Sequence, residues 1–494
     1  MSASQDVIVV GNGVLGYSVA HSLLTKDPSL RISVVGLPSR PFGASSAAGA
    51  MLGCFGEVTA SLLRSTYGRA KLAMGIQATS LWPEWLEQLN ALVPAAERLT
   101  IRPGTFVVAN ARSGTLEDEN FGAIREAAER SGADWQEVDP RDIPGLEPES
   151  TGRPLRSIFL PGEGSVDSGK LLAALQAALE ASGRVSFVHE VASALTVGHG
   201  RLEGVRLAGG EVLGAPRVVL TGGVGTQQLL DSVPELARRI PRLVQGNGCS
   251  LVLETDFDAP QQVIRTPNRA FACGLHMVPR GERRVYVGAT YNIGYRDIDV
   301  GSPEQQDAHR PRANDMHFLL AGAMEQFNHR LESARLVSWH TGSRPVTMDT
   351  CPLIGGTSLA GLWIATGTYR DGLHLSPLLS RHMANLVLGA PGLFENPFPP
   401  ERKLISLRTK EQAIEDTVKH QVSVGWEHGL KLPKTGWQDM LHHLTHEATR
   451  SVYDALDGDF VLPIEFVAAV MAYPDTMIPF FRAQVAHTAG GQDA

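Results

Sequence analysis

Gly11-Asn12-Gly13-Val14-Leu15-Gly16 follows the apolar run Val7-Ile8-Val9-Val10 and opens a segment with Val14, Leu15, Val19, Ala20, Leu23 and Leu24 at helical spacing. Strand, glycine turn and helix, in that order, are the context a dinucleotide-binding fingerprint needs. Gly11 permits a tight turn, Gly13 lets the backbone approach a pyrophosphate, and Gly16 lets helix and strand pack closely. The helix start, at Val14 and Leu15, then offers unpaired N–H groups and a positive dipole end to phosphate. An ordinary strand–helix corner could use the same glycines for packing alone.

A second strand, Ile32-Ser33-Val34-Val35, ends at Gly36, where an acidic residue is expected to hold an adenosine ribose hydroxyl. Glycine cannot do that. Ser39 and Arg40 just beyond would suit a 2′-phosphate, so the residues to this point leave NADP open. The other alternative is a backbone N–H or a water in place of the carboxylate.

The 494 residues allow about three domains. Charged residues at 19% and an apolar set at 43% fit a soluble globular enzyme. Lys and Arg number 44 against 52 Asp and Glu, a net charge of −8 that argues against nucleic acid or an anionic membrane as partner. Cys54, Cys249, Cys273 and Cys351 are scattered with no CxxC pair, which suggests free thiols in a reducing compartment, hence the cytoplasm. The N-terminal apolar stretch has no basic region before it and is cut by glycines, unlike a signal peptide. No run of about 18 apolar residues exists to span a membrane.

In Gly43-Ala44-Ser45-Ser46-Ala47-Ala48-Gly49-Ala50-Met51-Leu52-Gly53, small residues stand at nearly every position. They let a backbone lie against a bulky flat ligand, and Ser45 and Ser46 add short hydroxyl donors for phosphate. This stretch resembles the second flavin-contacting segment of the D-amino-acid oxidase and glycine oxidase family, and its wording is closest to glycine oxidase. The resemblance implies FAD, held by Gly11, Gly13, Val14, Leu15 and Gly16 at the first turn and by Ser45, Ser46, Gly49, Met51, Leu52 and Gly53 here.

Residues 60–100 read as helical, with a new helix start expected at Pro83 after Trp82. Thr105–Ala109 reads as a strand after a Pro103-Gly104 turn, and Glu117 to Arg130 as a helix. Pro144-Gly145-Leu146-Glu147-Pro148 breaks the pattern and reads as a crossing between domains. Gly164-Ser165-Val166-Asp167 leads into a helix with Leu171, Leu172, Leu175, Ala178 and Leu179 on one face, stopped at Gly183. Capping that helix is the role expected of Asp167. After the strand Val185-Ser186-Phe187-Val188, the resemblance implies that Glu190-Val191 meets the adenine. Leu202–Leu207 and Glu211–Leu213 form a hairpin around Gly209-Gly210, and Val218-Val219-Leu220-Thr221-Gly222-Gly223 resembles the family strand that ends beside the cofactor, at Gly222.

The fold class expected is therefore α/β, with a discontinuous Rossmann-like FAD-binding domain, an antiparallel-sheet substrate domain and a C-terminal helical extension. The FAD-binding segments are 1–75, 161–235 and 336–390, and the substrate-domain segments are 76–160 and 236–335. A linker, 391–404, leads to the extension, 405–494.

Strands at Leu243–Gly246, Cys249–Leu253, His276–Arg280 and Val285–Tyr291 suit an antiparallel sheet with one face over a ligand. Val278-Pro279-Arg280 and Val287-Gly288-Ala289-Thr290 match glycine oxidase wording, but His276 stands where those enzymes usually place a substrate-facing tyrosine. His276 is either a substrate contact or a satisfied histidine in the sheet.

The third flavin-contacting region runs Ser338-Trp339-His340-Thr341-Gly342-Ser343-Arg344-Pro345-Val346-Thr347-Met348-Asp349, and later Gly367-Thr368-Tyr369-Arg370-Asp371-Gly372-Leu373. Two arginines on loops facing one sheet are what a small carboxylate needs, because guanidinium is a planar, permanently charged fork. By resemblance Arg344 matches the substrate-carboxylate arginine and Arg370 a second arginine at the substrate entrance. The two arginines, Gly342, Gly372 and Leu373 are also expected against the cofactor. Each arginine could instead be a surface salt bridge. Thr368 departs from the family, which usually has histidine or a similar residue there. Cys351 follows Arg344 and no cysteine precedes it in the motif, which argues against a covalent flavin.

Pro391–Pro400 reads as a linker, and the resemblance stops at about Gly389. In the extension Trp437, Met440, Leu441, Leu444, Ala448, Val452, Ala455 and Leu456 make one apolar stripe ending at Gly458. It is expected to dock on the main body or on a second copy, so a homo-oligomer is one expectation. His442 and His446 sit one turn apart beside Glu447, but a third ligand is lacking, so a solvated face and no metal site are expected.

The function implied is a FAD-dependent oxidase of glycine, an N-substituted glycine or a related amino acid. A hydride leaves the carbon beside the amine, the imine hydrolyses, and oxygen becomes hydrogen peroxide. Such chemistry needs little acid–base help, because the cofactor accepts the electrons and the protein mainly orients the substrate. The alternatives are an NADP-dependent reductase, resting on Gly36, Ser39 and Arg40, and a flavoprotein whose extension serves mainly in assembly.

Overall fold

The computed structural model describes residues 5–490 apart from 428, 434 and 457, so the outer ends of the first and last expected segments, 1–4 and 491–494, lie outside the described residues. Two large sheets carry the molecule. The first has six strands in the spatial order Leu353–Gly356, Leu362–Thr366, Val218–Leu220, Val7–Val10, Ile32–Val35 and Val185–Val188. All its pairings are parallel except the edge strand Leu353–Gly356. A sheet covered on both faces needs strands that are apolar throughout, and 7–10 and 218–220 are buried at every position. Alternation then sorts the side chains. Val7 and Val9 face the helices Val14–Lys26, Ser168–Ala181 and Ser376–Val387, whereas Ile8 and Val10 face a small three-stranded sheet between Ala192 and Gly214.

The second sheet has ten strands, eight of them on one path from Asn292–Gly294 through Leu243–Glu254, Arg284–Gly288, His276–Pro279, Val263–Arg265, Arg102–Asn110 and Pro154–Ser165 to Met51–Leu52, with Gln136–Val138 added beside 154–165. The strand Arg335–Thr347 also pairs along 243–254 for its whole length, from Leu243 opposite Thr347 to Glu254 opposite Arg335. That pairing carries residues 342–345 to the seam between the two sheets. At the seam the chain passes from the second sheet to the first through Ser165 to Asp167, and Asp167 caps the next helix by accepting from Lys170 N at 2.9 Å.

Several expectations change. The starts at Leu243 and Cys249 belong to one twelve-residue strand. Pro83 starts no helix but lies inside Thr66–Asn90, whose neighbouring Trp82 and Trp85 are each 1% exposed and anchor one continuous face. Pro103-Gly104 is no turn. It is an irregularity within the strand 102–110, with Gly104 at φ +96°. Pro144–Pro148 is no crossing either, since Glu147 bridges Asn328 in the same layer.

Residues 391–404 are fastened to the body. Phe398 is fully buried, and Arg402 pairs with buried Asp349 at 3.0 Å while donating to the carbonyls of Pro352, Pro399 and Cys351. The extension forms the helices Lys410–Glu427, Trp437–Leu456, Ile464–Ala472 and Pro474–Gly490. Its apolar stripe is not the buried face. Trp437, Met440 and Leu444 are exposed, while Thr445, Thr449, Val452 and Tyr453 are buried. The helix is turned so that its threonine line meets its neighbours and only the C-terminal part of the stripe packs. Ile414, Phe466, Val467 and Phe481 of the extension join Val346, Met348 and Tyr369 of the body in one core cluster. His442 is exposed and stacks on His446, which also meets Glu447, and no group of three metal-ligating side chains occurs among the described residues.

Candidate active site

One long cavity runs along the seam of the two sheets. Its lining comes from the first glycine turn, residues 43–53, Glu190–Val191, Thr221–Gly225, His276, Tyr286, residues 342–345 and residues 368–374. Of the residues expected to hold cofactor, Gly16, Ser46 and Leu52 do not line it. Gly16 serves packing, because a Cβ there would fall 1.8 Å from Gly11 O. The Ser46 hydroxyl donates back to Gly43 O at 3.0 Å, and Leu52 points into the core.

At the phosphate end, the helix 14–26 begins with no side-chain cap. Val14 N donates to Ser45 Oγ at 3.1 Å, and the N–H groups of Leu15 and Gly16 meet no acceptor among the described residues. Free first-turn donors at a helix N-terminus make an anion site. Gly13 keeps it open, since a Cβ there would lie 3.1 Å from Ser45 Oγ. The cradle fits a dinucleotide pyrophosphate.

At the ribose end, Gly36 is explained by Asn12. A Cβ on Gly36 would sit 2.7 Å from Asn12 Cγ and Oδ1, and Asn12 Nδ2 donates to Leu37 O at 2.8 Å. The amide thus occupies the place where an acidic side chain would project. Arg40 is not free to receive a 2′-phosphate. Its Nε donates to Asn12 O at 2.9 Å and its Nη2 to Tyr17 Oη at 3.1 Å, with the guanidinium over the Tyr17 ring. The feature that left NADP open is therefore part of the scaffold.

Further along, the backbone of residues 47–49 is pinned by the second sheet. Tyr286 Oη donates to Ala47 O at 2.9 Å and Arg280 Nη2 to Gly49 O at 2.8 Å. A Cβ on Gly49 would meet Tyr286 at 3.0 Å and His276 Nε2 at 3.2 Å. His276 itself is buried and stacked on Tyr286, with Nδ1 2.9 Å from Gly274 O. That bond places the proton on Nδ1 and leaves the Nε2 lone pair on the cavity side. Burial pushes its pKa down to about 4, so the ring is neutral near pH 7.

Arg344 lies opposite Gly246, and its Nη1 makes only long contacts, 3.3 Å to Thr290 O and 3.4 Å to Gly246 O. A Cβ on Gly248 would fall 2.4 Å from Nη1, so that glycine makes room for the guanidinium. No carboxylate pairs with Arg344 among the described residues. The surface salt bridge is excluded for it. Arg370 differs. It faces Glu57 at 3.6 Å, and Glu57 also pairs with buried Arg265 at 2.7 Å. Burial alone would raise the Glu57 pKa, but the two arginines outweigh it and hold it at about 2. Beside them, Glu163 accepts from Phe55 N at 2.7 Å and Gly56 N at 3.0 Å, and burial pushes its carboxyl up.

Glu57, Glu163, Arg265, Arg280 and Tyr286 were not expected at the site. Arg280 alone carried a signal, in Val278-Pro279-Arg280. Glu57 and Arg265 stand 208 positions apart and only the fold joins them.

Residues 6–386 match the family described as FAD dependent oxidoreductase. The glycine oxidase of Pseudomonas putida is 28% identical over 409 residues, covering 81% of this chain and all of that protein. The crystal structure of glycine oxidase from Geobacillus kaustophilus superposes with a TM-score of 0.67 at 24% identity, over 82% of this chain and all of that one. The iminodiacetate oxidase of Chelativorans sp. BNC1 superposes at 0.64 and 21% identity, over 80% of this chain and all of that one, and shows the same fold. With a cavity built to seat a dinucleotide and a family match over most of its length, the chain belongs to the FAD-dependent oxidoreductase family and is glycine oxidase-like.

Proposed function

We propose that this protein oxidises glycine, an N-substituted glycine or a related amino acid, anchoring the carboxylate on Arg344. The observation that carries the reading is the Arg344 guanidinium, present in the cavity wall without a carboxylate partner among the described residues. A half-buried guanidinium with only long hydrogen bonds and a ring contact to Tyr291 gains most from a carboxylate that takes its fork.

FAD would lie along the cavity, its phosphates at Gly11, Gly13, Val14, Leu15 and Ser45, with Gly49, Met51, Gly53, Val191, Gly222, Gly342, Gly372 and Leu373 offering close backbone. Bound there, FAD supplies the acceptor for the hydride from the carbon beside the amine and the route of those electrons to oxygen. The chain's own part is to orient and desolvate. Arg344 fixes the carboxylate. His276, neutral and with its Nε2 lone pair on the cavity side, accepts a hydrogen bond from the amine. Arg370 closes the far wall, steadied by Glu57. The four cysteines are free and buried, which supports a reducing compartment, the cytoplasm. Among the described residues no helix is long and apolar enough to cross a membrane.

The test is a peroxide-coupled screen of the yellow holoenzyme across glycine, N-methylglycine, D-amino acids and N-carboxymethyl amines, with anaerobic flavin bleaching for each. At least one amine that carries a carboxylate should bleach the flavin and yield peroxide. Bleaching by NADPH instead, with none by any amine, would refute the reading.

A further inference from the structure

Behind Arg370 the cavity opens into a second chamber that shares Glu57, Tyr369, Arg370, Asp371 and His374 with the first. Its outer wall is the C-terminal extension, through Arg408 and His420 of the first extension helix and its loop, and Glu465 of the third helix. The extension is held there by ion pairs. Asp416 lies between Arg64 at 2.5 Å and Arg408 at 2.7 Å, and Lys419 meets Glu119 at 2.7 Å.

The polar groups at the mouth of this chamber are unusually uncommitted. Arg370 Nη1 is buried with no hydrogen-bond partner, and its nearest acid, Glu57, is already bonded to Arg265. His374 Nε2 donates to Gly75 O at 2.9 Å, so its Nδ1, buried and unpartnered, is an acceptor and takes no part in holding an anion. Lys71, on the helix 66–90, lines the chamber and makes no hydrogen bond or ion pair among the described residues. Two carboxylates of the chamber, Glu57 and Asp416, are each already held between two arginines, while Asp371 and Glu465 add to its acidic lining. Donors left open at the end of a pocket mark where a ligand supplies acceptors.

We propose that this chamber binds an anionic substituent of the substrate through Lys71 and Arg370, so that an N-carboxyalkyl glycine, rather than glycine, fills the whole site. The proposal rests on the assignment of Arg344 as anchor of the first carboxylate. The substituent enters past Arg370, and the extension turns what would be an open rim into a closed, charged subsite. An apolar N-substituent would leave Lys71 and Arg370 without acceptors, and an uncharged polar one would leave them without a counter-charge.

The test uses the intact holoenzyme and thioether ligands that have no amine to oxidise. Methylthioacetate carries one carboxylate. Thiodiacetate and its homologues with two or three methylenes in the second arm carry two. Affinities are read by titration calorimetry and by the perturbation of flavin absorbance. At least one dicarboxylate should bind about tenfold tighter than methylthioacetate, the worth of one added charge-assisted contact. Lys71→Gln should bring that ratio close to one, and Lys71→Arg should keep it. The proposal is overturned if no dicarboxylate is preferred, or if the preference survives in both Lys71→Gln and Lys71→Glu. Arg344→Leu separates the two assignments. It should weaken every ligand by a similar factor, and if it weakens none, the anchor assignment fails while loss of the preference in Lys71→Gln still supports the chamber.

Discussion

Glu57→Gln perturbs the charge arrangement under the substrate site at its centre. In the folded protein this carboxylate lies between Arg265 and Arg370, which hold its pKa at about 2 against an ordinary 4.5. A depressed carboxylate stabilises the fold fully above its unfolded pKa, and that stabilisation is lost as pH falls from about 4.5 toward about 2. The difference corresponds to about 3 kcal/mol at neutral pH. Gln at this position keeps the shape and removes the charge, leaving Arg265, 2% exposed, without its ion-pair partner. Breaking a buried pair in this way costs about 3–5 kcal/mol. Urea unfolding followed by tryptophan fluorescence at neutral pH should show Glu57→Gln destabilised by about 3 kcal/mol. Arg265→Met should recover part of that in the double variant, because the stranded charge goes with it. A loss below about 0.5 kcal/mol, or additive losses in the double variant, would refute the reasoning.

Four further outcomes are expected. Gly16→Val drives a Cβ into Gly11 O and should give colourless protein on purification, checked by the absorption spectrum. Ser45→Ala removes the acceptor for Val14 N and should weaken FAD binding about fivefold, or about 1 kcal/mol, measured by titrating apoprotein. Because the pKa of His276 falls to about 4, it stays neutral from pH 8 down to about pH 5, and kcat/KM should show no inflection near pH 6 that His276→Gln abolishes. The same lowered pKa means that folding stability from this residue is lost as pH drops from 6.5 toward about 4, the range in which only the unfolded chain takes up the proton. NADPH should not bind measurably, since Arg40 is engaged by Asn12 and Tyr17.

What the sequence made legible were features whose physics is local. Gly11 to Gly16 lie between an apolar strand and a helix whose periodicity is plain, and Asp167 stands at a helix start where its cap is the obvious use. The place of Arg344 in the cavity wall was legible because its motif is continuous. The rest depended on contacts between distant segments. Gly36 looked like a missing ribose contact until the fold placed Asn12 over it. Arg40 looked like a phosphate ligand until the fold turned it onto Tyr17. Glu57 carries no motif, and its meaning comes from Arg265 in another strand and Arg370 in a loop. The stripe on Trp437–Leu456 misled because side-chain polarity alone does not fix which face packs, and buried Thr445 and Thr449 took the inner line.

The central claim, that a substrate carboxylate rests on Arg344, is tested most directly by anaerobic stopped-flow reduction of the flavin in wild type and Arg344→Leu. Loss of a bidentate charge-assisted contact is worth about 3 kcal/mol, so half-saturation should rise about 100-fold. Arg344→Lys should fall between the two, having charge without the fork. Unchanged half-saturation in Arg344→Leu, for whichever amine reduces the wild-type flavin, would contradict the account.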